Sequence, residues 1–259
     1  KKMINRHGRK SEPEVSAPQN NAASGTRLNK AVAGSGLCAR RKADELIFAG
    51  RVSVNGEVET NPARRVFPQD ALAFDGKPLA GAQKRVCLIL NKPAGVVSTV
   101  KDPEGRPSVM DFVPPELRGC RLYPVGRLDF FSQGLLLLTN DGDLALKLAH
   151  PRYEHPKTYE VLVRGNVPEA ALVEMRRGMR LEDGTELLPV GAEMQKRGQN
   201  TLLRLTLRQG LNRQIRRMCA DLCLVILKLE RISQGPLELG RLAPGNTRAL
   251  TDDEIAELL

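Results

Sequence analysis

The chain has 259 residues, 41% of them hydrophobic, enough to bury a core without help from a metal or disulfides. Lys and Arg total 40 against 30 Asp and Glu, and the formal net charge of +10 favours a polyanionic partner through counterion release. With no Trp and only three Tyr, the sequence excludes a sheet of stacked aromatics as its binding surface, and no apolar run approaches the ~20 residues that cross a bilayer.

Five cysteines (Cys38, Cys87, Cys120, Cys219 and Cys223) contain no C-x-x-C pair, and three histidines are scattered at His7, His150 and His155. That pattern predicts no metal site and reduced thiols in the cytoplasm. Residues 1–26 are polar and basic without apolar periodicity, and are expected to form a disordered tail that either reaches phosphates or is passive.

Residues 27–82 have the pattern of a compact module. Leu28, Ala31 and Val32 share a helical face that Gly34 and Gly36 terminate, and a second helix runs from Arg40 through Ile47 towards Gly50. Val52 and Val54 flank Ser53 as a strand, Asn55-Gly56 predicts a type I′ hairpin turn, and another strand at Ala71–Phe74 meets the turn Asp75-Gly76.

From residue 83 to 259 strands and helices alternate irregularly. Val86–Leu90 predicts a buried strand, Asn91–Gly95 a turn, and Val96–Thr99 a returning strand. Strands are also expected at Leu122–Val125 and Leu135–Thr139, followed by a short helix through Leu144, Leu146 and Leu148. Thr158–Arg164 alternates as a strand, 167–177 is helical up to Gly178, Leu203, Leu205 and Leu207 form a strand face, and 212–222 is an amphipathic helix. The fold class is therefore α+β with a mixed, largely antiparallel sheet and without regular βαβ alternation.

No phosphate loop, dinucleotide fingerprint, nucleophile elbow or H-E-x-x-H motif occurs, which leaves a carboxylate and its neighbours as the candidates. Spacing alone makes Asp129 a turn or cap residue and Tyr159 a core ring. In the helix at 212–222, Ile215, Met218, Cys219 and Leu222 mark the buried face. Arg216 falls at its border, where a guanidinium needs an acidic partner, while Arg213 and Arg217 project away towards phosphates. Asp141 and Asp143 could supply a second acid to a hydrolase, but Asn140-Asp141-Gly142-Asp143 reads better as a turn capping a helix.

Two resemblances extend these readings. Arg27-Leu28-Asn29-Lys30, Gly36–Arg41 and Arg51–Gly56 resemble the small RNA-binding domain of ribosomal protein S4; the resemblance places Arg27, Lys30, Arg40, Arg41, Lys42 and Arg51 on an RNA-binding face. Tyr123–Asp129 with Ser132–Gly142, Leu90–Thr99, Lys157-Thr158-Tyr159 and Gln209–Met218 resemble, in order, the motifs of the RsuA-like family of bacterial ribosomal-RNA pseudouridine synthases. Phe130-Phe131 and Cys223 depart from that family's commonest pattern.

The family resemblance implies Asp129 as nucleophile, Arg216 as its partner and Tyr159 against a flipped-out uracil, with Arg127, Asn212, Arg213 and Arg217 towards RNA. It implies no cofactor, a monomer, and a uridine in large-subunit (23S) rRNA as substrate. Small-subunit (16S) rRNA, tRNA, or a non-catalytic role in ribosome assembly remain as alternatives.

Overall fold

The computed structural model describes residues 25–149 and 155–258. Residues 1–24 of the expected 1–26 tail, and His150, lie outside the described residues, while Thr26, assigned to that tail, pairs with Val66 in a short strand. The chain divides after Gln83 into two compact units.

The first unit opens with β1 (Thr26–Arg27), α1 (Leu28–Gly34) and α2 (Arg40–Phe48). Leu28, Val32, Ala43, Leu46 and Ile47 bury the facing sides of the two helices. Asn29 also donates to Asp44 at 2.6 Å, tying one helix to the other. The strands β2 (Val52–Val54), β3 (Glu57–Val58), β4 (Arg65–Val66), β5 (Leu72–Phe74) and β6 (Lys77–Pro78) follow. They form a four-stranded sheet in the order β3-β2-β5-β6, while β4 pairs with β1. Asn55 and Gly56 both have positive φ, 55° and 87°, as a type I′ turn requires.

The second unit is built on one sheet. Its strands are β7 (Cys87–Lys92), β8 (Tyr123–Val125), β9 (Gln133–Thr139), β10 (Lys157–Val163), β11 (Gly191–Arg197), β12 (Asn200–Leu207), β13 (Ile226–Gln234), β14 (Leu237–Glu238) and β15 (Thr247–Ala249). The order is β11-β12-β10-β13-β9-β7-β15, with β14 on β13 and β8 on β9. The helices are α3 (Gly142–Ala149), α4 (Glu169–Arg177), α5 (Gln214–Asp221) and α6 (Asp252–Leu258). Buried residues of α4 and α5 pack with those of β10, β12 and β13 in one core cluster, whereas two further clusters include alternate residues of β7 and β9.

Two half-sheets meet where β9 runs parallel to β13, in the pairs Gln133 with Glu230 and Gly134 with Arg231. Beyond that point β9 pairs instead with β8, from Val125 with Leu137 to Tyr123 with Thr139. Gly134 sits at the seam with φ +104°, and a Cβ there would lie 2.7 Å from the Arg231 amide nitrogen. Only glycine fits this approach without moving a strand.

Two expectations are corrected. Val96–Thr99 is not a strand; Val97 makes a single bridge to Ser108, and β7 instead continues through Asn91 and Lys92. The amphipathic helix begins at Gln214, not at residue 212, because Arg213 adopts a left-handed backbone, φ 49° and ψ 31°.

Candidate active site

The loop from Gly126 to Ser132 joins β8 to β9 and opens at the seam between the half-sheets. Leu128 is buried and anchors the loop, with Ser98 Oγ donating to its carbonyl at 2.9 Å and accepting from its amide at 3.2 Å. The chain then turns, with Ser132 N donating to Asp129 O at 3.0 Å.

Lys92 sets this loop's shape. It continues the Leu88, Leu90 side of β7, so its side chain enters the interior and is fully buried. Its ammonium donates to the carbonyls of Ser132 at 2.7 Å, Pro93 at 2.9 Å, Asp129 at 3.1 Å and Phe130 at 3.4 Å. Burial pushes Lys92 down to about 8, and the neighbouring Asp129 opposes that shift. The strand alternation carried the signal: a lysine on the apolar side of a buried strand needs an interior partner.

The Asp129 carboxylate faces two guanidiniums. Arg216 Nε and Arg213 Nη1 each lie 3.7 Å from Asp129 Oδ2. Arg216 is largely enclosed, with 19% of its side chain exposed, and it donates from Nη2 to Ser132 Oγ at 3.1 Å. Its buried Nε makes no hydrogen bond. Burial, and then the adjacent Arg213, lower the Arg216 pKa, while Asp129 opposes both.

Arg213 departs from the helical wheel that pointed it towards phosphates. Lying at the N-cap with a left-handed backbone, it escapes the 100° periodicity, and its half-exposed guanidinium turns to Asp129. Arg217 is paired with Asp183 and donates to Thr185 Oγ1 at 2.8 Å. Asn212 and Arg127 are exposed.

Tyr159 is half-buried on β10 and packs against both the helix-covered core cluster and the cluster that holds Leu128. Its register partner on β13 is the buried Arg231, whose Nε donates to Leu135 O at 2.7 Å across the seam. Burial, reinforced by Arg231, depresses the Lys157 pKa. Reading by residue class missed Lys92, Ser98, Ser132 and Arg231. Lys92, Ser98 and Ser132 were visible only as motif members, and the role of Ser132 depends on a contact to a residue 84 positions away.

In the first unit Arg27, Arg40, Arg41, Lys42 and Arg51 are exposed and Lys30 is half-buried. Lys42 pairs with Glu45 at 2.6 Å. Arg51 pairs with Asp75 and stacks 4.6 Å from the Phe74 ring centroid. The cysteines at 38, 87, 120, 219 and 223 form no disulfide among the described residues. Among the described residues no helix is long and apolar enough to cross a membrane, and no group of three or more His, Cys, Asp or Glu could hold a metal ion.

Comparison with known proteins places this geometry in a family. Residues 86–221, over half of the chain, match the model described as RNA pseudouridylate synthase, and residues 26–72 match the S4 domain. The Bacillus subtilis protein named ribosomal large subunit pseudouridine synthase B is 41% identical over 237 residues, 90% of this chain and 95% of that protein. The Escherichia coli K12 protein named dual-specificity RNA pseudouridine synthase RluF is 40% identical over 239 residues, 91% of this chain and 79% of that one. A solved crystal structure of a pseudouridylate synthase superimposes with a TM-score of 0.63 at 29% identity, covering 90% of this chain and 99% of that one. Asp129, Tyr159 and Arg216 all fall within the matched residues 86–221, and with the S4 domain ahead of them the chain belongs to the RNA pseudouridylate synthases, in their RsuA-like branch.

Proposed function

We propose that this chain converts a uridine of large-subunit ribosomal RNA to pseudouridine, with Asp129 as its nucleophile. The observation that carries the reading is a carboxylate on a loop pinned by Lys92, facing Arg216 and Arg213 at 3.7 Å each. The substrate assignment draws on the name of the Bacillus subtilis relative.

The reaction is an isomerisation. The bond from the ribose C1′ to uracil N1 breaks, with its electron pair leaving on the base, as the Asp129 carboxylate attacks C1′ or promotes the departure. The base turns, C5 bonds to C1′ and expels the Asp129 carboxylate where it had attacked there, and the C5 proton passes to solvent while a proton returns to N1. A stacked base hides C1′, so the target nucleotide is extruded into the cleft, where Tyr159 packs against the ring. The two guanidiniums hold the carboxylate in place and offset the negative charge that develops on the departing uracil. Arg27, Lys30, Arg40, Arg41, Lys42 and Arg51 supply phosphate contacts from the first unit, and Arg127 and Asn212 supply contacts near the cleft.

Asp129→Asn, assayed for tritium release from ribosomal RNA labelled at uracil C5, is expected to lose at least ~10³-fold in rate with little change in RNA binding. Substantial residual turnover refutes the nucleophile assignment. Pseudouridine mapping in cells with and without the protein identifies the substrate. Because the Escherichia coli relative's name states a dual specificity, the mapping extends to small-subunit rRNA and tRNA.

A further inference from the structure

We propose that Phe131 is a stacking platform for an RNA base that neighbours the extruded uridine. The chain holds few aromatics, yet this ring is 68% exposed, two residues beyond Asp129. An exposed phenyl gains nothing from burial in the fold, and the backbone carrying it is fixed. The carbonyls of Asp129, Phe130 and Ser132 all accept from Lys92, and Gly95 N donates to Phe130 O at 2.7 Å. Phe130, itself half-buried, meets the Phe131 ring edge-on, with centroids 4.9 Å apart and planes at 84°. The ring is thus held by an aromatic neighbour on a pinned loop and offers its remaining surface to solvent.

Extruding a uridine unstacks the bases on either side of it. Unstacked bases in RNA are recognised by stacking on aromatic side chains, and a preformed exposed ring two residues from Asp129 fits that need. The face is apolar and carries no base-edge donor or acceptor, so it favours large π-surfaces, purines over pyrimidines, and does not read a sequence. This inference rests on Asp129 marking the place where the uridine enters.

The test uses the full chain and a ribosomal RNA transcript spanning the mapped uridine, with 2-aminopurine as the 5′ or 3′ neighbour. Wild-type protein and Asp129→Asn are both expected to quench the 2-aminopurine from one side, because quenching needs no turnover. Phe131→Ala and Phe131→Leu are expected to lose the quenching and raise KM by roughly 5- to 150-fold, an effect that falls on KM far more than on kcat. Phe131→Tyr restores both. Thermal melting confirms that the variants are folded. Unchanged KM in Phe131→Ala, a leucine as good as phenylalanine, or a loss confined to kcat overturns the proposal. Turnover by Asp129→Asn refutes the nucleophile assignment separately, since the quenching result is read without it.

Discussion

Replacing Lys92 with methionine keeps the length of the side chain and removes its charge and three donors. Three of the four carbonyls around it can be satisfied at once by an ammonium, and each hydrogen bond from a charged donor contributes about 1.5–3 kcal/mol. Against that loss stands relief of the burial that moves the Lys92 pKa from 10.5 to about 8, on the order of 3 kcal/mol. The balance is a destabilisation of about 1–6 kcal/mol, each of which lowers Tm by roughly 2–4 °C in a unit of this size. The damage concentrates in the loop that aims Asp129, so kcat is expected to fall by about 10²-fold or more.

The pH dependence has a definite sign. The unfolded chain binds the Lys92 proton more tightly than the folded one, so wild-type stability rises as pH climbs from about 8 towards 10.5. The methionine variant lacks this rise, and the gap between the two widens over that window. Denaturant unfolding at pH 7 to 10.5 and single-turnover kinetics at neutral pH measure both effects. A variant with unchanged Tm and kcat, or a gap that narrows with pH, refutes the account of Lys92 as the pin of the loop.

Two other perturbations follow from the same geometry. Arg216→Leu empties the enclosed position beside Asp129 and is expected to reduce kcat by about 10²–10³-fold, while Arg213→Ala, half-exposed and screened, costs about 10-fold and less at high salt. Equal losses in the two variants would contradict that ranking. Gly134→Ala forces a Cβ against the Arg231 backbone at φ +104°; we expect a loss of about 2–6 kcal/mol and faster amide exchange at Gln133–Leu135. A Tm within 1–2 °C of wild type, roughly half a kcal/mol, would show that the strands part easily.

Much of the fold could be read from local pattern. The helices around Leu28 and Leu46, the Asn55-Gly56 turn and the apolar run of β9 all announce themselves by periodicity or by backbone demands. The central strand β13 does not, because two of its buried positions are Arg231 and Gln234, residue types that read as surface. The same masking hid Lys92, whose alternation with Leu88 and Leu90 is strand-like but whose chemistry suggested a turn. Asp129 with Arg216 was legible from helix periodicity and motif. The approach of Arg213 was not, since a left-handed residue before a helix cannot be inferred from a wheel.

The two-residue parallel seam at Gln133 and Gly134 also has a mechanical meaning. Asp129 belongs to the half-sheet of β7, β8 and β9, whereas Tyr159 and Arg216 belong to the half carried by β10, β12, β13 and α5. Asp129 and Arg216 are therefore supplied from opposite banks of a narrow bridge. A small shear along it would alter the Asp129–Arg216 spacing and would be resisted by Tyr159, which packs against apolar clusters on both banks. The spacing of Asp129 and Arg216 thereby becomes a sensitive gauge of how the two banks are aligned.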